Sequence, residues 1–232
     1  MNRKKIVSYV KNQNKKLSNQ KIGQINIFFK DPFIDDIDYE IVFRKINQLL
    51  PDHMLELIDV VYVGEFENLK EKNANALYSD GAVYVDCKQE DENDLIDDII
   101  HEFAHAVEDR FGNFLYEDGD IKQNFLGKRR KLESILKYEN YDIDNYDFSK
   151  PEFDGDLDKF FFRGVGYEKL NNLAQNLFLA PYSITSLREY FARGFEEFYL
   201  GNLNFLKYIC PYVYKKLSFL DNIQNEENNY EF

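Results

Sequence analysis

The sequence predicts an α+β domain with a small twisted sheet followed by C-terminal helices, and three observations predict it. Short runs rich in Val, Ile, Tyr and Phe stand between turn signals within the first 85 residues. Apolar residues recur at helical spacing through most of the remaining chain. Asp80-Gly81, set between Ala76-Leu77-Tyr78-Ser79 and Ala82-Val83-Tyr84-Val85, suits a two-residue hairpin turn. With 232 residues and 44% hydrophobic content, the chain can bury a full core, and it reads as one domain with an arm or insertion.

Taken in order, residues 1–22 form a basic N-terminal segment, and 23–232 the domain proper. Ile25–Phe29 is the first expected strand, and 36–50 an amphipathic helix stopped by Pro51. Val60–Val63 is the next strand, followed by the hairpin. Val83, Tyr84 and Val85 are the candidate sheet edge on which an extended peptide would pair its backbone; the alternative is an ordinary interior strand. Residues 93–100 offer a capping residue, acids in the first turns and apolar residues at helical spacing, continued by Phe103, Ala104, Val107 and Phe111, with Gly112 as the expected stop. Residues 113–180 read as a helical insertion. Within it 123–138 is a helix whose Lys128-Arg129-Arg130-Lys131 is expected on a solvated face, 141–156 is acidic and irregular, and 167–179 is helical again. Gly164 and Gly166 lack the strand and later glycine of a phosphate loop. Aromatic-rich helices are expected at 186–200 and 204–217, then a polar tail.

The formal charge of −13 is unevenly distributed. Residues 1–30 hold eight Lys or Arg and no acid, so the remainder carries −21. The basic start could engage an acidic face of a protein assembly partner or serve only as a solvated leading helix. The acidic body and the lack of any nucleic-acid motif argue against nucleic-acid binding. No 18-residue apolar run predicts a membrane span, and the first residues lack the apolar region of a secretory signal, which points to the cytoplasm or to export by a non-Sec route. Cys87 and Cys210 are too few for a disulfide framework, and Cys87 reads as a small buried residue.

The chemistry concentrates in His101-Glu102-Phe103-Ala104-His105. A four-residue step on a helix turns about 400°, so both imidazoles leave one face and can bind one ion, while Glu102 lies about 100° further round as a base for the ion's water. The expected cofactor is one Zn²⁺ per chain, and the expected activity is that of a metallopeptidase acting on a peptide or protein. The plainer alternative is a core helix with two partly buried histidines. A catalytic zinc needs a third protein ligand and an open position. A metzincin would place Gly at 108 and His at 111, where this chain has Glu108 and Phe111, and no methionine follows Met54. His53, the only other histidine, lies upstream in a Pro51-Asp52-His53 turn and is expected to be exposed. Glu189 is the best-placed downstream acid, on a helix carrying Leu187, Phe191, Phe195 and Phe198. It also aligns with Arg193 and Glu196 in what could be a solvent-facing stripe, and Ser186-x-x-Glu189 is a capping box.

His101-Glu102-x-x-His105, followed by Glu189-Tyr190-Phe191-Ala192-x-x-Phe195 with Tyr182 seven residues before the glutamate, resembles the anthrax toxin lethal factor family of zincins, which includes the Pro-Pro endopeptidases. The resemblance covers 23–112 in organisation and 182–200 in motif. It implies a zincin-like metallopeptidase fold, zinc held by His101, His105 and Glu189, Glu102 as catalytic base, and Tyr182 donating to the developing oxyanion. The separation of 84 positions from His105 to Glu189 exceeds the family's usual one, consistent with an enlarged insertion. Asp97 and Asp98 lie one turn before His101, where either could orient an imidazole. The competing function is a structural or interaction subunit of a virion or secretion machine, built on the same fold with an inactive or occluded site.

Overall fold

The computed structural model describes residues 19–34 and 36–223, so the basic segment up to residue 18 and the polar tail from 224 lie outside the described residues. Among the described residues the fold is mixed α+β, with ten α-helices and a five-stranded mixed sheet. The described residues divide into two compact units, one up to Val107 and one from Glu108 onward.

The first unit is built on the sheet. Its elements are β1 (Gln20–Ile22), β2 (Ile25–Phe29), α1 (Tyr39–Leu49), α2 (Asp52–Leu55), β3 (Val60–Val63), α3 (Glu67–Lys72), β4 (Ala76–Ser79), β5 (Ala82–Val85) and the start of α4 (Glu92–Tyr116). The strand order is β1-β2-β3-β5-β4. The three inner strands are parallel because α1 and α2 carry the chain from β2 to β3, and α3 and β4 carry it from β3 to β5, while β1 and β4 join their neighbours as antiparallel hairpins. In register, Ile27, Val61 and Val83 line up on one face, as do Phe29, Val63 and Val85, and all six are buried. Val42, Phe43 and Ile46 of α1 and Leu95, Ile99 and Phe103 of α4 are fully buried too and complete this unit's core. The opposite face carries a ladder of Phe28, Tyr62 and Tyr84, with ring centroids 5.6 and 5.3 Å apart. The β4–β5 turn has Asp80 and Gly81 both at positive φ, 49° and 79°, the backbone that a two-residue hairpin demands.

Three expectations for this unit change. β5, with Val83, Tyr84 and Val85, is an interior strand paired with β3 on one side and β4 on the other, so its backbone cannot accept a peptide. The outermost strand at that end is β4. Residues 20–22 belong to the sheet as β1, so the boundary drawn at 22/23 falls inside a hairpin turned at Gly23. His53 is half-buried in the four-residue α2 rather than exposed.

The second unit is helical. α4 continues through Gly112 to Tyr116; Gly112 does not take the positive φ of a helix-ending glycine, which Gly119 takes at 74° just beyond the helix. α5 (Asp120–Tyr138) follows Gly119, and α6 (Gly155–Lys159) runs into a π-helical turn, Phe160–Val165. Then come α7 (Tyr167–Leu173), a 3₁₀ turn at Tyr182–Ile184, α8 (Leu187–Tyr199), α9 (Leu203–Ile209) and α10 (Pro211–Asp221). Pro211 splits the single helix expected at 204–217, since it cannot donate to the preceding turn and sits at N1 of the next. Half of the basic tetrad is not solvated: Lys128 is nearly buried and Arg129 wholly so. The Lys128 ammonium donates to the Ile209 carbonyl and the Arg129 guanidinium to that of Lys150.

Candidate metal centre

The site begins with the start of α4. Asp91 caps it, its Oδ1 accepting from the backbone N–H groups of Asn93 and Asp94 at 2.7 and 3.0 Å, two residues earlier than the expected cap. Leu95, Ile96, Ile99, Ile100, Phe103, Ala104 and Val107 then bury one side of the helix. That burial fixes the rotation of α4 and with it the direction of the other side, where His101 is half-buried and Glu102 and His105 are buried.

One ligand atom from each of His101, Glu102 and His105 lies within 4.8 Å of the others. The imidazole centroids are 4.9 Å apart, with planes at 84°. Two ring nitrogens at this separation match the nitrogen donors that zinc accepts, and the carboxylate beside them stands where a base for the ion's water is needed, so the residues fit the expected ion. Glu102 is further held by the sheet: its Oε2 accepts the backbone N–H of Tyr78 at 2.5 Å. Tyr78 faces Val83 at a position where antiparallel strands exchange no hydrogen bond, as the neighbouring Asp86-to-Asn75 backbone bond confirms. Its N–H therefore leaves β4 on the side away from β5, toward the glutamate.

Asp98, one turn before His101 and Glu102, has its carboxyl pushed up to about 6. Burial is the main cause and the nearby Glu102 carboxylate adds to it, while the His101 imidazole and a hydrogen bond with the Asn75 side chain oppose the rise. Of the two acids expected to orient a histidine, Asp98 is half-buried and in electrostatic contact with His101 and Glu102, and Asp97 is exposed.

Glu189 and Tyr182 belong to the second unit. Ser186 caps α8 by accepting the Glu189 N–H at 3.1 Å, as the capping box anticipates. Glu189 is half-buried. The stripe it was expected to share is not solvated, since Glu196 is only 7% exposed and pairs with Arg193, which also lies 3.8 Å from Glu197. Arg188 ties the start of α8 to Glu108 at 3.5 Å and Asp109 at 3.7 Å. Tyr182, 46% exposed, opens the 3₁₀ turn.

Two groups at the centre escaped the sequence: the Tyr78 N–H and the Asn75 side chain. A backbone donor carries no residue-type signal, and only strand register reveals it. No protein-family description, curated protein or solved structure matches this chain, so the chemistry of the centre is read from its own residues.

Proposed function

We propose that the chain is a zinc-dependent metalloendopeptidase of zincin-like fold, similar to the lethal factor family. The observation that carries this reading is the convergence of His101, Glu102 and His105 on one side of a capped, well-buried helix. When bound, the zinc would supply Lewis-acid polarisation of the scissile carbonyl and lower the pKa of a water to about 7. His101 and His105 hold the ion through ring nitrogens, and Glu189 completes the ligand set on the strength of its sequence pattern. Glu102, oriented by the Tyr78 N–H, accepts the proton of the attacking water and returns it to the leaving amine. Tyr182 donates its hydroxyl to the carbonyl oxygen as that oxygen gains charge. An extended substrate pairs along β4, the outermost strand, whose Tyr78 N–H already marks where Glu102 stands.

The test is zinc content together with cleavage of a peptide library, for the wild type, Glu102→Ala and Glu189→Ala. The expected result is about one zinc per chain, kept in Glu102→Ala, weakened in Glu189→Ala, and cleavage lost in both. A wild type that takes up no zinc under metal-replete conditions would overturn the reading and return the two histidines to the core. Zinc without cleavage would favour the structural subunit.

A further inference from the structure

The acids of this chain leave one stretch untouched. Asp and Glu supply 42 of the 232 residues, yet none falls between Glu197 and Asp221, where Lys207, Lys215 and Lys216 are the only charges. The acids at its borders are engaged: Glu197 accepts the Asn202 N–H at 2.8 Å and lies 3.8 Å from Arg193, and Asp221 accepts the Tyr199 hydroxyl at 2.9 Å. The same stretch leaves apolar surface open. Of the twelve large apolar side chains exposed among the described residues, five lie within it: Leu203, Phe205 and Tyr208 of α9, and Tyr212 and Phe219 of α10.

The second unit holds all of this face. On α10, Tyr212, Lys215 and Phe219 stand at i, i+3 and i+7, within about 60° of one another round the helix, while Val213, Leu217 and Leu220 bury the other side. Phe114 extends the stripe beside Phe219, with ring centroids 5.1 Å apart. Lys207 reaches from α9 over the Tyr214 ring of α10, 5.5 Å from its centroid. Lys216 is buried, and it binds Asp118 at 2.7 Å, the acid that faces Lys215 electrostatically. Lys207 and Lys215 are therefore the exposed charges among these rings.

We infer that this face docks on an anionic lipid surface. Aromatic rings beside lysines are the composition selected at a bilayer interface, where the rings sit at headgroup level and the lysine stems extend to the lipid phosphates. A protein interface selects a different cation, since it is depleted in Lys and enriched in Arg, and this stretch holds no Arg. Charge also sets the orientation. With a net charge of −13 on the chain, an anionic surface repels the molecule in most orientations. Screening confines attraction to charges within about 10 Å, so the favourable approach is the one with α9 and α10 foremost. No helix of the described residues is long and apolar enough to cross a membrane, and the contact inferred is with its surface alone. The inference does not depend on the peptidase reading.

The chain contains no tryptophan, so Tyr208→Trp and Tyr138→Trp each carry a single reporter at an exposed position, one inside the face and one outside it. With vesicles of phosphatidylcholine and phosphatidylserine in equal parts, Tyr208→Trp emission should move to shorter wavelength and be quenched by brominated lipid, and Tyr138→Trp emission should do neither. Lys207→Gln/Lys215→Gln, added to Tyr208→Trp, should lower partition into these vesicles about thirtyfold. Co-sedimentation of the wild type with the mixed vesicles, and much less with phosphatidylcholine alone, needs no variant to fold. Tyr208→Trp emission that does not move, reporters that move alike, or equal binding to phosphatidylcholine alone would each overturn the inference. So would a shift with poly-L-glutamate and none with vesicles, which assigns the face to an acidic protein, or a dimer in sedimentation equilibrium that Tyr208→Ala/Phe219→Ala abolishes while no vesicle binds, which assigns it to a second copy.

Discussion

Both units bury charged groups, but to opposite ends. In the first, His101, Glu102 and His105 converge within 4.8 Å, with Asp98 in electrostatic contact and a backbone N–H aimed at Glu102. In the second, three cations are buried apart from one another. Lys128 is anchored on the Ile209 carbonyl, Arg129 on that of Lys150, and Lys216 on that of Phe114 at 2.6 Å and on Asp118 at 2.7 Å. Each also lies over an aromatic ring, with Lys216 4.4 Å from the Phe114 centroid. Ring and carbonyl replace water around a cation, so each bond joins distant segments without creating reactivity. Burial of a polar group is therefore no sign of a site; convergence of several on one point is.

The largest expected effect sharpens that division. Glu102→Ala should lower peptide cleavage by about a hundred- to ten-thousandfold, the usual contribution of a general base, while zinc content and melting temperature hold. Loss of zinc in that variant would make Glu102 a ligand. Arg129→Ala should do the reverse: urea unfolding should show a loss of about 2–4 kcal/mol, with cleavage per folded molecule unchanged. A fully folded Arg129→Ala protein that no longer cleaves would break the comparison. Arg129→Met, which keeps most of the volume and removes a desolvated charge, should cost less than Arg129→Ala.

Lys128 offers a test by pH. Burial pushes its ammonium below the ordinary lysine value, with the neighbouring Lys131 acting the same way and Cys210 opposing, while the Phe178 and Tyr190 rings face it. Between the lowered value and the ordinary one of about 10.4, the unfolded chain binds more protons at this group than the folded chain does. Stability from Lys128 therefore rises with pH across that alkaline window, and at neutral pH the buried charge is a cost. Lys128→Met should remove that rise, read as the difference between the urea stabilities of variant and wild type through the window. A difference independent of pH would mean that the ammonium is not desolvated.

Much of the first unit could be read from its sequence because local and global signals agree there. Val60–Val63, Ala76–Ser79 and Ala82–Val85 carry β-branched and aromatic residues, and Asp80-Gly81 permits only a tight reversal between the last two. The order of the strands was not readable, because β5 became interior through pairing with β3, a contact distant in sequence. β1 was hidden by its length, three residues with one of them apolar. In the second unit the errors about charged residues have one cause. Lys128 and Arg129 read as solvated because charge normally is, and only the fold supplies the carbonyls and rings that let them be buried. At the candidate metal centre His101, Glu102 and His105 were readable since one helix carries all three, whereas Tyr78 contributes a backbone group that any residue type would provide.

The smallest effect separates two roles proposed for the start of α8. The sequence set the capping box and the zinc ligand against each other as explanations of Glu189. In the structure Ser186 Oγ accepts the backbone N–H of Glu189, a bond that does not draw on the carboxylate, so the two roles are compatible. Ser186→Ala should then lower stability by about 1 kcal/mol, the usual worth of such a cap, with zinc stoichiometry preserved. Arg188→Ala, which removes a half-exposed ion pair with Glu108 and Asp109, should change stability by less than about 0.5 kcal/mol. Glu189→Gln keeps the backbone donor and removes only the carboxylate charge, so it should hold stability while weakening zinc retention under dialysis against a chelator. If Ser186→Ala releases zinc as readily as Glu189→Gln does, the cap positions the carboxylate and the two roles are one. If Glu189→Gln retains zinc like the wild type, Glu189 only opens a helix and the third ligand lies elsewhere.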